Sequence, residues 1–213
     1  MGCHVMVAGA TGLVGAHVVN ALLDQSLVAS VHCLVRHCDA PIKHPKVQYH
    51  MVDFFNLNQS LFTGITHVVC CVGTTMKDAG SREQFQLVDH YIPKEVARLA
   101  RLAGASSFSL VSSMGADDAS RWFYLRVKGA IETHLKGVGF DSLMIYRPSL
   151  LLGKRKSMRW GEYAGIVFLW LFGWLMPARF LPTNAKALAT LMAKHVVEPS
   201  MKGDRIFDAA MIH

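Results

Sequence analysis

Tyr124 and Lys128 stand four apart in the stretch FYLRVKGAIE. On a helix that spacing puts both side chains on one face. A lysine ammonium beside a tyrosine favours the phenolate and eases movement of the phenolic proton. Such a phenol gives or takes the hydroxyl proton of a carbonyl/alcohol pair while a hydride moves. A serine hydroxyl nearby can polarise the same oxygen. Ser112 and Ser113 end an apolar run upstream, and spacing alone leaves both as candidates for that task.

A hydride needs a carrier, and the N-terminal region holds a cradle for one. Gly9-Ala10-Thr11-Gly12-Leu13-Val14-Gly15 follows a strand-like run and opens a helix-like one. Glycines at this spacing let the chain turn tightly, bring backbone N–H groups against a pyrophosphate, and pack the helix on the sheet. The anion then sits at a helix N-terminus, where free N–H groups and the macrodipole favour negative charge. Gly9, Thr11, Gly12, Leu13, Val14 and Gly15 are therefore candidate cofactor contacts. The end of the second strand reads Leu34-Val35-Arg36-His37, with no carboxylate before Asp39. An acidic residue there would accept from a ribose 2′-OH, whereas an arginine accommodates a 2′-phosphate. Arg36 thus favours NADP(H). Asp53, after the third strand, is placed to hold an adenine edge or to cap a turn. Gly73 and Thr74 follow the fourth strand, where a glycine permits close backbone approach to the cofactor.

The elements that must position these residues alternate between strand-length apolar runs and helix-length periodic stretches. Strands are expected at His4–Ala8, Val28–Val35, Val47–Val52, Thr66–Val72, Phe108–Ser112 and Ser142–Tyr146, with a late edge strand at Arg205–Asp208. Helices are expected over Gly12–Leu23, Ser81–Ala103, Ala119–Leu135 and Asn184–Val197. This rhythm predicts an α/β fold, a doubly wound parallel sheet of Rossmann type with helices on both faces. Residues 1–213 read as a single domain, with a small helical substrate-side region from about residue 150 onward.

Composition narrows the function classes. Hydrophobic residues make up 52% and charged residues 17%, which excludes a disordered chain. A net charge of +7 favours anionic partners without choosing among them. The short basic cluster Lys154–Arg159 lacks interleaved aromatic residues, so nucleic-acid binding is not expected. Cys3, Cys33, Cys38, Cys70 and Cys71 are odd in number without C-x-x-C spacing, which argues against a disulfide framework or zinc site. No H-E-x-x-H or similar spacing suggests a metal. Reduced thiols and an N-terminus without a charged leader and apolar h-region point to a cytoplasmic protein.

With GATGLVG, CVGTT, SSMGADDASRWFYLRVKGAIE (Ser112–Glu132) and YRPSLLLGKRKSMRWGE (Tyr146–Glu162) in place, the chain resembles an atypical short-chain dehydrogenase/reductase. Within that superfamily it is similar to the Tat-interacting oxidoreductase subfamily and its bacterial relatives. The resemblance implies cofactor contacts from the glycine loop, Arg36, the Gly73 turn, Tyr124 and Lys128. It places Arg147, Pro148 and Ser149 near the nicotinamide side and starts the substrate-side region at Gly153–Glu162. The proton-relay asparagine of many reductases has no evident counterpart. Two functions follow: an NADPH-dependent reductase of a small carbonyl compound, or an NADPH-binding regulatory or protein-interaction module with little turnover.

The run Tyr163–Met176 (YAGIVFLWLFGWLM) carries no charge. It is shorter than the roughly 20 apolar residues that span a bilayer. Apolar on every side, it must be buried against something. Packing around an apolar substrate pocket ranks first, a homodimer second, and peripheral membrane contact beside the basic cluster third.

Overall fold

The computed structural model describes residues 2–37, 42–152, 181–198 and 201–212. β1 (Cys3–Ala8), β2 (Val28–Val35), β3 (Val47–Met51), β4 (His67–Cys70), β5 (Ser107–Val111) and β6 (Ser142–Arg147) fall on the expected apolar runs. Two short strands, β7 (Leu151–Leu152) and β8 (Thr183–Asn184), pair with each other, and β9 (Gly203–Asp208) follows. The main sheet has the order β3-β2-β1-β4-β5-β6-β9, every pair parallel. The chain winds outward from β1 to β3, then restarts beside β1 with β4 and winds the other way. The reversal leaves a crevice at the carboxyl ends of β1 and β4, where doubly wound folds bind ligands.

Side chains alternate across each strand, so each face has its own core. Val5 and Val7 of β1 and Val31 and Cys33 of β2 pack under α1 (Leu13–Leu23) and the helix Ala185–Val197. Met6, Ala8, Val68, Phe108 and Leu110 face the opposite way, under the helices Ile92–Leu102 and Phe123–Lys136. With the short helices Met76–Ala79 (α2) and Arg82–Gln86 (α3) ahead of them, those two are α4 and α5, and Ala185–Val197 is α6. Asn184 caps α6 by accepting from the backbone N–H groups of Lys186 (2.8 Å) and Ala187 (3.3 Å).

Two helices differ from their expected extents. Ser81–Ala103 is interrupted by a π-helical turn at Leu87–Tyr91 between α3 and α4. A π-turn inserts an extra residue into the α-helical repeat, a device found often at functional sites. The helix expected from Ala119 starts instead at Phe123. Asp117 accepts from the Ala119 N–H (3.0 Å) and Ser120 from the Trp122 N–H (3.2 Å), which holds the preceding residues in turns. The runs Lys154–Arg159 and Tyr163–Met176 lie outside the described residues. Among the described residues, no helix is long and apolar enough to cross a membrane.

On the sheet face near the β3 edge, His4 Nδ1 meets Ser30 Oγ (2.8 Å), Ser30 Oγ meets His32 Nε2 (2.9 Å), and His32 Nδ1 meets His50 Nε2 (3.1 Å). Burial, then the neighbouring His50 and His4, lowers the His32 pKa. Burial also lowers His67, His90, His134 and His195. The unfolded chain therefore binds more protons than the folded one in mild acid. The stability contributed by these neutral imidazoles is complete above their unfolded pKa, near 6.5, and is lost as pH falls through it towards the folded values. The melting temperature should fall by several degrees between about pH 7.5 and about pH 5.5. A flat profile over that range would contradict this account.

Candidate functional site

The glycine loop is built by contacts between backbones. Gly9 has φ +81°, and a Cβ there would lie 2.8 Å from the carbonyl carbon of Cys71. A Cβ on Gly15 would lie 2.1 Å from the Gly9 carbonyl oxygen. These two glycines let β1, α1 and the end of β4 meet at van der Waals distance. Gly12 has a different task. It caps α1 without a side-chain hydrogen bond, its N–H donates to Gly9 O (3.0 Å), and the first turn carries no acidic residue. The first-turn N–H groups of Leu13, Val14 and Gly15 have no intrahelical acceptor. Thr11 and Gly12 are exposed at the tip, Leu13 is half-buried and Val14 is in the core. Uncapped amides, no competing carboxylate and no Cβ on Gly12 suit a pyrophosphate.

Across the crevice, α5 brings Tyr124 and Lys128 onto one face as their spacing predicts. Lys128 is buried, and its Nζ lies 2.8 Å from Asp89 Oδ1, a carboxylate with no exposed side-chain surface. Asp89 belongs to the π-turn, and its other oxygen accepts from the Thr74 N–H (2.8 Å). Burial works against the Lys128 ammonium, but Asp89 and then Tyr124 outweigh it and raise its pKa. A Cβ on Gly73 would come to 3.3 Å from Asp89 Oδ1 and 3.6 Å from Lys128 Nζ. Gly73 thus keeps the turn after β4 pressed against this ion pair. Tyr124 is half-buried, its ring 5.4 Å from that of buried Phe85.

Ser112 and Ser113 are separated by their partners. Ser112 is buried and donates to Glu132 Oε1. Glu132 also accepts from Arg147 Nε (3.1 Å) and pairs with its Nη2 at 2.5 Å. Ser113 is half-buried, and its hydroxyl makes a long contact of 3.4 Å with the Met114 carbonyl. Pro148 is buried. The Ser149 hydroxyl donates to Leu181 O and meets Thr183 Oγ1 (3.1 Å), tying the end of β6 to the returning chain. Gly129 lets α5 close on the preceding loop, since a Cβ there would lie 2.1 Å from Asp118 N.

Arg36 is exposed two residues beyond the Ala8–Leu34 pair, beside the glycine loop. Asp53 is exposed after β3, and its Oδ1 accepts from the Phe55 N–H (2.9 Å), so one oxygen caps a turn. The structure therefore gathers the glycine loop, Gly73, Thr74, Tyr124 and Lys128 at the crevice, with Arg36 and Asp53 along its β2–β3 side.

A family model described as NAD(P)H-binding matches residues 9–161. The chain belongs to this NAD(P)H-binding family. It is 34% identical over 176 residues to the protein fmp52, mitochondrial, of Aspergillus niger, covering 77% of this chain and 75% of that protein. It is 33% identical over 183 residues to the protein HTATIP2 of Rattus norvegicus, covering 81% and 75%. A putative NAD-dependent epimerase/dehydratase from Bacillus halodurans superposes with a TM-score of 0.73 at 17% identity, covering 99% of this chain and 98% of that one. That likeness shows the fold, a doubly wound NAD(P)-binding sheet shared across low sequence identity.

Sequence reasoning passed over Asp89, Glu132 and Gly129. Asp89 did carry a signal. Phe85, Asp89, Ile92 and Val96 are all buried at helical spacing, so the carboxylate stands on an otherwise apolar stripe. Glu132 stands likewise among Lys128, Ile131 and Leu135 on the buried face of α5. Removing one partner of a buried ion pair costs about 3–5 kcal/mol, whereas a lost hydrogen bond to a charged group costs about 1.5–3 kcal/mol. With Arg147 partly open to solvent, Glu132→Ala should cost about 3 kcal/mol and Ser112→Ala about 1.5 kcal/mol in urea unfolding. Equal effects from the two substitutions would overturn this ranking.

Proposed function

We propose that this protein is an NADPH-dependent oxidoreductase that reduces a small apolar carbonyl compound. The observation that carries the reading is the Lys128 ammonium, paired with buried Asp89 and one helical turn from Tyr124 on α5, at the crevice that the glycine loop enters. The uncapped amides of α1 would hold the pyrophosphate, Arg36 the 2′-phosphate and Asp53 the adenine edge. Gly73 and Thr74 would line the cofactor path, with the Arg147–Ser149 segment on the nicotinamide side. A bound nicotinamide supplies the hydride. Tyr124 gives its phenolic proton to the carbonyl oxygen, and Lys128 steadies the charge left behind. Ser113 polarises the same oxygen, because Ser112 is committed to Glu132. The apolar character of the substrate rests on the sequence run Tyr163–Met176. The four described cysteines are free, in keeping with a reducing compartment such as the cytoplasm.

A second reading, an NADPH-binding regulatory module with little turnover, is favoured by one observation: Asp89 already neutralises the ammonium that faces Tyr124. Tyr124→Phe separates the two. It should abolish carbonyl reduction in a substrate panel followed by NADPH absorbance, while NADPH binding stays within about threefold of wild type. Normal turnover by that variant would remove Tyr124 from the mechanism, and no turnover by the wild type would favour the regulator. Arg36 generates a separate expectation. NADPH should bind at least about tenfold more tightly than NADH, a preference that Arg36→Ala erases in a fluorescence titration. Equal wild-type affinities for the two cofactors would refute it.

A further inference from the structure

The reduction chemistry needs a phenol and a neighbouring cation, and neither requires a carboxylate beneath them. Asp89 is nevertheless there, fully enclosed, 2.8 Å from Lys128 Nζ. Stability does not explain it. A buried ion pair is usually matched or bettered by apolar side chains of similar volume, and Asp89 occupies a core position in line with Phe85, Ile92 and Val96. Two backbone features are also arranged around this charge. The π-turn carries Asp89 on its way into α4, and the Thr74 N–H donates to its second oxygen at 2.8 Å. Gly73 leaves the space that lets the turn rest against both charges.

We propose that Asp89 is a positioning residue whose buried negative charge holds the Lys128 ammonium in place and opposes a second negative charge beside it, so that the site rests ready to give a proton rather than to take one. The proposal rests on the reductase reading and names the direction in which that site is set. A carboxylate close by in a poorly solvated region raises the proton affinity of an amine and a phenol alike. The other groups around the pair do not cancel it. From α5 come Lys128 and Tyr124 themselves, and Glu132 one turn on is held by Arg147. From β4 comes Cys70, whose thiol burial pushes up to about 11, so that it stays uncharged at neutral pH. His90, next to Asp89 in the π-turn, has its ring 6.4 Å from that of His134 of α5 and tilted to it, and burial keeps both imidazoles towards the neutral form. Lys94 and Glu95 of α4 act on His134 with opposite signs, and Lys94 lowers His90 as well. Asp89 is thus the carboxylate whose charge Lys128 and Tyr124 meet.

The chemistry gives this a direction. In reduction, hydride reaches the carbonyl carbon as the phenol O–H bond breaks and its proton joins the carbonyl oxygen. The products are the alcohol, the oxidised nicotinamide and a phenolate that solvent reprotonates. In oxidation, the phenolate must be present first to accept the alcohol proton. Asp89 favours the starting state of reduction and opposes that of oxidation.

Asp89→Asn tests this, because the amide oxygen can still accept from Thr74 N–H while the charge is gone. The alkaline limb of the reduction pH–rate profile should move down by about one pH unit, the order expected for removing a nearby unit charge. The limb of the oxidation profile that reports the same group should move with it, since the reaction equilibrium fixes the ratio of the two kcat/KM values at any one pH. Asp89→Glu, which keeps the charge, should retain the wild-type profile, and Asp89→Ser replaces the Asn variant should that one not fold. Two readouts need no substrate: the ultraviolet absorbance of tyrosinate against pH, with Tyr124→Phe as the subtraction, and the pH dependence of NADPH binding. Tyrosinate appearing at lower pH in Asp89→Asn supports the proposal. So does NADPH affinity falling off at lower pH without tyrosinate, since the proton has then left Lys128. Titration and binding curves that superimpose on wild type overturn it. A wild type that turns over no carbonyl compound removes the reductase reading instead, and these two curves still judge Asp89.

Discussion

Everything at the crevice depends on how closely three stretches of backbone approach one another. The carbonyl oxygen of Gly9 sits where any Cβ on Gly15 would have to be, and the Cα of Gly9 sits against the carbonyl group of Cys71. With side chains at those positions, α1 would stand off the sheet and β4 would move away from β1. The amides of α1 and the turn carrying Gly73 would then no longer border the same space. The loop is usually thought of as a grip for phosphate. Here two of its three glycines serve the packing of α1 against β1 and the end of β4.

Around that contact the fold places two buried charge pairs, both held through α5. Lys128 pairs with Asp89 of the π-turn, and Glu132 with Arg147 at the end of β6. They lie one helical turn apart and face different neighbours. The first connects α5 to the turn after β4 through Thr74. The second connects α5 to the end of β5 through Ser112. Ionic contacts of this kind are directional where apolar packing is not, so they set the rotation and axial position of α5 relative to the strand ends. The placement of Tyr124 depends on both.

Much of this was legible in the sequence because it is local. The apolar run Val28–Val35 is the strand of the same bounds, and the order of runs predicted the parallel, doubly wound sheet. GATGLVG announced its strand–turn–helix context. Tyr124 and Lys128 share a face because helical geometry requires it. What stayed hidden depends on partners distant in the chain. Asp89 meets Lys128 through tertiary packing, and its helical period suggested only a long helix from Ser81. The choice between Ser112 and Ser113 turns on Glu132, which no spacing rule selects. The late start of α5 arose from Asp117 and Ser120, whose side chains satisfied backbone N–H groups that a helix would otherwise have used. The positions of Arg36 and Asp53 followed from strand ends, whereas their roles depend on a ligand.

The short pair β7–β8 has a bearing on how such a protein can diversify. Leu151 aligns with Thr183 and Leu152 with Asn184, and Ser149 bonds across to Leu181 and Thr183. The chain therefore leaves the sheet and rejoins it at a fastened neck. With the ends already held together, the entropic penalty for lengthening what lies between them grows only with the logarithm of its length. Insertions, deletions or wholesale replacement of that stretch leave β6, α6 and the strand ends where they are. The neck therefore fixes where the chain leaves the nucleotide-binding frame and where it returns, whatever the length of chain joined between the two points.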